Sequence, residues 1–314
     1  MTHHAARLCL KARPTARQLA DRLRPVDGVW PDGLELYLAA EDLASPAQLD
    51  QVQARLEAAR ETAPAGFAYL IEGPVDSLDG ADFDVTRQSE ADDVVVERLA
   101  DLARRIGARA VNIHVIAPSP DIARLTLDCR AALLERSLPF VHRYVERVRA
   151  AGAVPTVENM PPVLRMRRAD FAFTPIGMAA ADLFWLAERI DGLRIMPDTS
   201  HAGLYLNARH QAADAHYAWS EPLRAYLAQL PPEPDDLLTY ISCFGSLVAN
   251  AQVSNASGVL GEGLGYGEGD FVLDPSIRWL GEHAEHIVTE TLEADNNDAV
   301  GMREALRRMR AVLA

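Results

Sequence analysis

The chain has 314 residues, of which 49% are hydrophobic and 24% are charged, and its formal net charge is −14. This balance is typical of a folded globular protein, and no apolar run reaches the roughly 20 residues that a membrane-spanning helix requires. The acidic charge argues against a nucleic-acid partner, because such binding depends on Lys and Arg neutralising phosphates. The N-terminal residues lack the apolar core of a signal peptide, so we expect a cytoplasmic protein with a small-molecule substrate.

The cysteines and the lysines are sparse. Cys9, Cys129 and Cys243 lie far apart and form no Cys-x-x-Cys pair, which argues against a disulfide framework or a thiolate zinc site. Of the 31 basic residues only Lys11 is a lysine, and all the others are arginines. Lys11 is therefore a candidate for a role that needs a compact ammonium group, although chance retention of one lysine would give the same pattern.

Short β-like runs alternate with segments of helical period along the chain. The predicted strands cover residues 7–12, 33–38, 66–72, 110–116, 154–158, 193–196, 248–253 and 286–292. The predicted helices include residues 15–23, 46–60, 91–106, a long helix over 125–150 that Pro139 interrupts, and a last helix that begins after an N-cap at Asp298.

Eight strands with intervening helices predict a single α/β domain over residues 1–314, built as a closed (β/α)8 TIM barrel. An open doubly wound sheet is the competing architecture. It usually has a glycine-rich phosphate loop after its first strand, whereas Lys11-Ala-Arg-Pro14 follows here. The barrel is therefore the favoured prediction.

Three carboxylates, Glu158, Asp198 and Glu290, each end a short apolar run. Because the active site of a parallel α/β barrel lies at the carboxyl ends of its strands, these side chains can converge on one ion. Asp198 is followed three residues later by His201, and a carboxylate with an imidazole suits Mn²⁺, Co²⁺, Mg²⁺ or Zn²⁺. Ordinary alternatives are an ion pair between Glu158 and a nearby arginine, and a helix N-cap at Asp198.

His114 alternates with Ile113 and Val115 on the predicted fourth strand and so faces opposite to them. It is either a ligand or substrate contact at the barrel mouth, or a core histidine satisfied by the backbone. Near the end of strand eight, Glu290 lies inside the apolar run and is the better candidate ligand. We expect Glu293 to be solvated or to help cap the next helix.

Residues 261–270 read Gly-Glu-Gly-Leu-Gly-Tyr-Gly-Glu-Gly-Asp, the densest glycine cluster of the chain. The run matches neither a Walker loop nor a dinucleotide fingerprint. It permits close approach of the backbone to a ligand and a mobile lid, with Tyr266 and Glu268 as candidate substrate contacts. A surface loop without a function is the alternative.

The order of these motifs along the chain resembles that of a known family. Strand-end Glu158, the Asp198-x-x-His201 pair, a polar end of strand seven, a Gly-Glu-Gly-Asp loop and strand-eight Glu290 resemble the xylose isomerase-like TIM-barrel superfamily. That superfamily includes sugar epimerases, hydroxypyruvate isomerase, inosose dehydratase and endonuclease IV. The motifs span residues 110–314, and the βα order extends the resemblance to the whole chain.

The resemblance to the isomerase and epimerase branch implies a homo-oligomeric enzyme, a dimer or tetramer, that acts on a small polyhydroxylated carbonyl compound. It implies one divalent ion, most often Mn²⁺, held by Glu158, Asp198, a strand-seven residue and Glu290. The two glutamates would move a proton on and off the carbon next to a metal-polarised carbonyl, with His201 on a substrate oxygen. Further candidate substrate contacts are Lys11, Glu72 and His114.

Two positions depart from the family's pattern. Aligning its His-x-Ser-Asp/Asn motif on residues 252–255 places Gln252 where a histidine ligand is usual, and strand three ends in Glu72-Gly73-Pro74 where the family often has His-Gly/Ala-Pro. An amide oxygen can coordinate a hard cation, which favours Mg²⁺ or Mn²⁺ over Zn²⁺ and leaves Co²⁺ open, while a metal-poor site is the other outcome.

Three other functions follow from the same residues. A dehydratase or other lyase shares the first proton transfer and is the nearest rival. A non-catalytic, metal-independent descendant would explain Gln252. Nuclease activity is disfavoured, because the additional histidines of a three-zinc site are replaced by Glu72 and Gln252 and the chain is acidic.

Overall fold

The computed structural model describes residues 6–211, 214–232 and 234–314, and within them eight parallel strands form one sheet. In chain order the strands are β1 (Arg7–Ala12), β2 (Gly33–Tyr37), β3 (Ala68–Glu72), β4 (Ala110–His114), β5 (Val154–Glu158), β6 (Arg194–Met196), β7 (Asn250–Val253) and β8 (His286–Thr289). Their hydrogen-bonded order is β6-β5-β4-β3-β2-β1-β8-β7. Parallel bridges join Ile195 to Val248 and Asp198 to Gln252, so β6 and β7 meet and the sheet closes into the predicted (β/α)8 TIM barrel.

Helices separate the strands and pack around the barrel. The described ranges contain α1 (Ala16–Arg22), α2 (Pro46–Arg60), α3 (Glu90–Ile106), α4 (Leu127–Ala150), α5 (Ala180–Arg189), α6 (Thr199–His210), α7 (Ser220–Leu227), α8 (Leu237–Cys243), α9 (Asp274–His283) and α10 (Val300–Leu313). The hydroxyl groups of Thr15, Ser45, Ser89 and Thr126 accept backbone N–H groups at the starts of α1 to α4. None of these helices is both long and apolar enough to cross a membrane.

Strand alternation decides which side chains point into the barrel. Five inward side chains form a separate buried apolar cluster, which we call the barrel floor: Cys9, Leu70, Ala110, Met196 and Val288. On each of these five strands, the next inward-facing position lies two residues after the floor residue. All five of these positions are polar: Lys11, Glu72, Asn112, Asp198 and Glu290. The barrel therefore carries a polar layer directly above its apolar floor.

Two short antiparallel hairpins follow strand ends. The first rim hairpin pairs Val163–Leu164 with Ala172–Phe173, and the second pairs Asn255–Ser257 with Gly261–Leu264. They follow β5 and β7 respectively. Both hairpins contribute residues to the cavity described below.

The predicted interruption of the long helix at Pro139 is wrong, because α4 runs unbroken through that residue. Proline removes one backbone donor, but the turn around it is held by packing. Phe140 and Tyr144 are fully buried, and the Tyr144 hydroxyl donates to the Thr156 carbonyl oxygen at 2.8 Å. These contacts with the barrel stabilise the helix despite the missing hydrogen bond.

Two strands end two or three residues earlier than predicted, β4 at His114 and β8 at Thr289. Beyond these points the backbone also takes partners outside the barrel sheet, although the Glu290 N–H still donates to the Val253 carbonyl oxygen of β7 at 3.0 Å. The Ile116 carbonyl accepts the Val85 N–H at 3.2 Å, and the Leu292 N–H donates to the Gly263 carbonyl at 2.7 Å. The chain thus leaves the sheet where the cavity begins.

The predicted N-cap of the last helix at Asp298 is also wrong. Helix α10 begins at Val300, and the carboxylate of Glu293 accepts the N–H groups of Gly301 at 2.9 Å and Met302 at 2.8 Å. A carboxylate at a helix N-terminus satisfies unpaired donors and interacts favourably with the helix dipole. The expected capping role of Glu293 is therefore confirmed.

Replacing Glu293 with alanine should lower the free energy of unfolding by about 1 kcal/mol, because two N–H groups of α10 lose their acceptor. Urea unfolding measures this change. Asp298→Ala is the matched control and should alter the free energy by less than about 0.5 kcal/mol. A larger loss for Asp298→Ala than for Glu293→Ala would contradict the assignment.

Candidate active site at the carboxyl end of the barrel

A cavity of about 450 Å³ opens at the carboxyl ends of the strands. Its volume lies in the range of small-molecule sites. Six of the residues singled out in the sequence line it: Lys11, Glu72, His114, Asp198, His201 and Glu290. Two more, Glu158 and Gln252, are fully buried behind this wall.

Lys11 lies at the centre of one cluster of charges. Its ammonium group contacts the carboxylates of both Glu72 and Glu290. Burial alone would lower the pKa of Lys11, but Glu290 and Glu72 raise it well above its usual value, so the group is a cation. Lys11 also pairs in register with Glu35 on the neighbouring strand β2.

The carboxylates around Lys11 differ in their pKa values. Burial would raise the pKa of Glu72, but Lys11 and His114 lower it to about 2. Burial raises the pKa of Glu290 well above its usual value; Lys11 opposes this rise, and the nearby charges of Glu72 and Asp198 add to it. Glu290 therefore holds a proton more readily than Glu72.

Glu35 belongs to this cluster and was missed in the sequence. The Gln252 side-chain nitrogen donates to Glu35 at 2.8 Å and to Glu72 at 3.2 Å. Burial raises the pKa of Glu35 well above its usual value, and the charge of Glu72 raises it further. The available signal was a charged residue between Leu34 and Leu36 in a strand that is otherwise apolar.

His201 connects a second cluster. Its Nδ1 lies 2.9 Å from Glu158 and its Nε2 lies 3.0 Å from Glu262. Burial would lower the pKa of His201, but Asp198, Glu158 and Glu262 raise it well above its usual value. Arg167, which follows the first rim hairpin strand, also binds Glu262 at 2.8 Å.

Glu262 and Asn112 are further site residues that the sequence did not reveal. Burial would raise the pKa of Glu262, but His201 and Arg167 lower it to about 2. Asn112 lies one strand away from Glu158 and donates its Nδ2 to that carboxylate at 2.6 Å. Asn112 could have been recognised as a polar residue in the apolar run of β4. Glu262 lies in the glycine-rich run, where nothing distinguishes it from Glu268.

Asp198 caps α6, and it also lines the cavity. One carboxylate oxygen accepts the His201 N–H at 2.6 Å, and burial raises the pKa of Asp198 to about 6 although His201 opposes the rise. The prediction of a helix N-cap at Asp198 is thus confirmed, and its role as a metal ligand stays a prediction. His114 lies 3.3 Å from Glu72 and 3.7 Å from Glu158, so it joins the two clusters.

The donor chemistry of these residues fits a divalent cation. Ligand atoms of Glu72, His114 and Glu158 lie within 4.8 Å of one another, and so do those of Glu158, Asp198 and His201 and those of Glu35, Glu72 and Glu290. Three buried acceptors of this cluster, Glu35 Oε1, Gln252 Oε1 and Glu290 Oε2, have no hydrogen-bond partner among the described residues. Oxygen donors and excess negative charge suit a hard ion.

The four ligands that the resemblance implies are divided between these groups. Glu158 and Asp198 converge with His201, whereas Glu290 converges with Glu35 and Glu72. Gln252 lies beside the second group through its hydrogen bonds to Glu35 and Glu72. Lys11 contacts Glu290 in this arrangement.

The glycine-rich run forms one strand of the second rim hairpin, and it does not bring Tyr266 or Glu268 to the cavity wall. The Tyr266 hydroxyl donates to Asp274 at 2.8 Å, and Glu268 accepts the Gly265 N–H at 3.1 Å. Close approach is the reason for at least one glycine, because a Cβ atom at Gly263 would lie 2.6 Å from the Leu292 side chain.

No protein-family model matches the chain, and no curated protein matches it in sequence. Its fold is similar to that of a D-tagatose 3-epimerase-like protein, with a TM-score of 0.62 and 14% identity over 98% of each chain. A 3-keto-D-glucoside 4-epimerase from E. coli gives a TM-score of 0.60 and 14% identity over 98% of this chain and 99% of the other. A xylose isomerase domain protein from Planctomyces limnophilus gives 0.54 and 13% over 98% of each chain.

These likenesses extend over nearly the whole chain and establish the fold, a TIM barrel like those of these two epimerases and this xylose isomerase domain protein. The resemblance inferred from the strand-end motifs is confirmed at that level. The identities of 13–14% carry no residue roles by themselves.

At pH 7, Glu72→Gln should lower the free energy of unfolding by about 3 kcal/mol, because a shift in pKa from 4.5 to about 2 corresponds to that much stabilisation. Since the folded-state pKa is lowered, the contribution is complete above about pH 4.5 and is lost as the pH falls toward 2. Denaturant unfolding between pH 7 and pH 3 measures both effects.

Glu35→Gln is the matched control for this prediction. The pKa of Glu35 is raised, so a neutral amide resembles the protonated acid, and the loss at pH 7 should stay below about 1 kcal/mol. Equal losses of unfolding free energy in Glu72→Gln and Glu35→Gln would contradict the prediction that Lys11 stabilises the charged form of Glu72 more than that of Glu35.

Proposed function

We propose that this protein is an isomerase or epimerase of a small polyhydroxylated carbonyl compound of the sugar type, and that it uses one divalent ion. The observation that carries the proposal is the pair of strand-end glutamates at the barrel mouth, with Glu290 on the cavity wall and Glu158 buried next to the cavity residues His114 and His201. The D-tagatose 3-epimerase-like protein and the 3-keto-D-glucoside 4-epimerase that share the fold support the same chemistry.

In the proposed reaction, one glutamate removes a proton from the carbon next to the substrate carbonyl and the other returns a proton. Glu290 reaches the cavity directly. Glu158 is held by Asn112 and His201, which fix the direction of its carboxylate. His201 and His114 line the cavity beside Glu158. A substrate oxygen would bind His201 by replacing Glu262 as the partner of Nε2.

The proposed ion is Mn²⁺ or Mg²⁺, and its proposed ligands are Glu158, Asp198, Gln252 and Glu290. When bound there, it would polarise the substrate carbonyl as a Lewis acid. The free oxygens of Gln252 and Glu290 support this choice of ligands. A hard ion suits a donor set of three carboxylates and one amide better than Zn²⁺ does.

The wall of the cavity supports a sugar as substrate. Hydrogen-bonding groups from Lys11, Glu72 and His201 line the cavity together with apolar atoms of Ile116 and Met160. A polyhydroxylated compound needs many such polar partners, because each hydroxyl loses hydrogen bonds to water when it enters the cavity. The apolar residues can pack on the carbon-bound hydrogens of the same compound.

The test is incubation of the Mn²⁺-loaded protein in D2O with D-tagatose, D-psicose, D-fructose and L-ribulose. Formation of an epimer with deuterium on the reacting carbon, followed by NMR, is the expected result. A product that has lost water would indicate an elimination instead. Absence of both turnover and deuterium uptake with all four sugars would reject the proposed substrate class.

Glu158→Gln and Glu290→Gln should each lower turnover by at least about 10³-fold, because an amide cannot take a proton from carbon. Glu282→Gln, on the exposed face of α9, is the control and should keep the activity of the unmodified protein. Elemental analysis of all variants separates loss of metal from loss of proton transfer. Full activity in Glu158→Gln or Glu290→Gln would contradict the mechanism with two glutamates.

A further inference from the structure

The single lysine of the chain occupies an unusual position. Lys11 is the last inward-facing residue of β1, lies above the barrel floor and lines the cavity, while its side chain is only 12% exposed. The other basic residues among the 31 Lys and Arg of the chain are all arginines. A barrel mouth that crowds Glu35, Glu72 and Glu290 therefore contains the only primary ammonium side chain available.

The ammonium group has a free donor. It carries three N–H bonds, of which one points to Glu72 and another to Glu290. Within residues 6–211, 214–232 and 234–314, no third acceptor for Lys11 is found, and the ring of Tyr37 lies with its centroid 5.6 Å from the ammonium group. A ligand oxygen in the cavity is the available acceptor for the third N–H.

The two carboxylates fix this donor in place. Glu72 is itself held by Gln252 and His114, so it cannot swing away from Lys11 without breaking buried hydrogen bonds. A flexible lysine side chain normally loses rotamer freedom when it binds a ligand, but here that freedom is already restricted. Such a pre-oriented cation is suited to stabilise charge that appears during a reaction.

We propose that Lys11 is a catalytic residue that donates its third N–H to the substrate oxygen on which negative charge develops. This role rests on the proposed function. When the Glu290 carboxylate takes a proton from carbon, the C–H electron pair becomes the C=C bond of an enediolate, and the carbonyl π pair moves to oxygen. Lys11 stabilises that oxygen. Return of a proton to carbon re-forms the carbonyl and leaves the composition unchanged.

The single lysine permits a direct experiment. Protein labelled with lysine that carries ¹⁵N at Nζ gives one ammonium resonance, and the Mg²⁺-loaded protein can be titrated with D-psicose, D-fructose, D-tagatose or L-ribulose. We expect saturation with a sugar to shift this resonance and to slow exchange of its hydrogens with water. A resonance that stays unchanged while the sugar is bound and turned over would overturn the proposal.

Kinetics of variants test the catalytic role. Lys11→Met should lower kcat by about 10²–10³-fold with a much smaller change in KM, because the missing interaction acts in the transition state. In Lys11→Ala, ethylammonium in the buffer should restore part of kcat, which a purely structural role of Lys11 would not predict. Arg17→Met removes a cation that pairs with Asp295 and lies outside the cavity wall, and it should keep kcat within about threefold.

Failure of the proposed function and failure of this inference give different results. If the unmodified protein turns over no sugar, the proposed reaction and a catalytic Lys11 are both rejected, and the resonance then reports only whether Lys11 contacts a bound sugar. If the protein is active and Lys11→Met keeps its kcat, the proposed function stands and the role of Lys11 is rejected. Because Lys11→Met leaves Glu72 and Glu290 without a cation, Lys11→Arg and circular dichroism check that a loss of kcat is not a loss of folding.

Discussion

The crowding of carboxylates at the barrel mouth is the constraint on which the site depends. Six of them are brought together by distant parts of the chain: Glu35, Glu72, Glu158, Asp198, Glu262 and Glu290. Placing so many acids in a water-poor interior is unfavourable unless cations or protons balance them. Lys11 balances one side of the mouth, His201 and Arg167 balance the other, and the raised pKa values of Glu290 and Asp198 show that the compensation is incomplete.

The fold was predicted well from the sequence because it follows from local patterns, which can be recognised within a single strand or helix. Alternation on β1, β5 and β8 is local, and a strand that ends in a carboxylate can be recognised without knowledge of its neighbours. The errors arose where tertiary contacts override local preference. Pro139 remains inside α4 because Tyr144 anchors the helix to the barrel, and α10 takes its cap from Glu293 rather than from the nearer Asp298.

The site was predicted only in part, because the register between neighbouring strands decides which charged side chains meet. Glu35 is a charged residue in an apolar strand, but its proximity to Lys11 becomes evident only when β1 and β2 are aligned. Glu262 has no strand-end position, and it reaches His201 because the second rim hairpin folds back over the mouth. Tyr266 and Glu268, which the sequence offered as substrate contacts, lie outside the cavity wall because their side chains bind Asp274 and the Gly265 N–H.

The surrounding carboxylates explain why position 252 can hold a glutamine in place of a histidine. A neutral imidazole offers one donor and one acceptor, whereas a side-chain amide offers two donors and an acceptor. At this position the amide nitrogen donates to both Glu35 and Glu72, and the oxygen has no partner among the described residues. An imidazole could satisfy only one of these carboxylates while its second nitrogen bound a cation. The presence of Glu35 and Glu72 beside the Gln252 side chain in the barrel interior thus gives a physical reason for glutamine, one that does not require the loss of a cation-binding role.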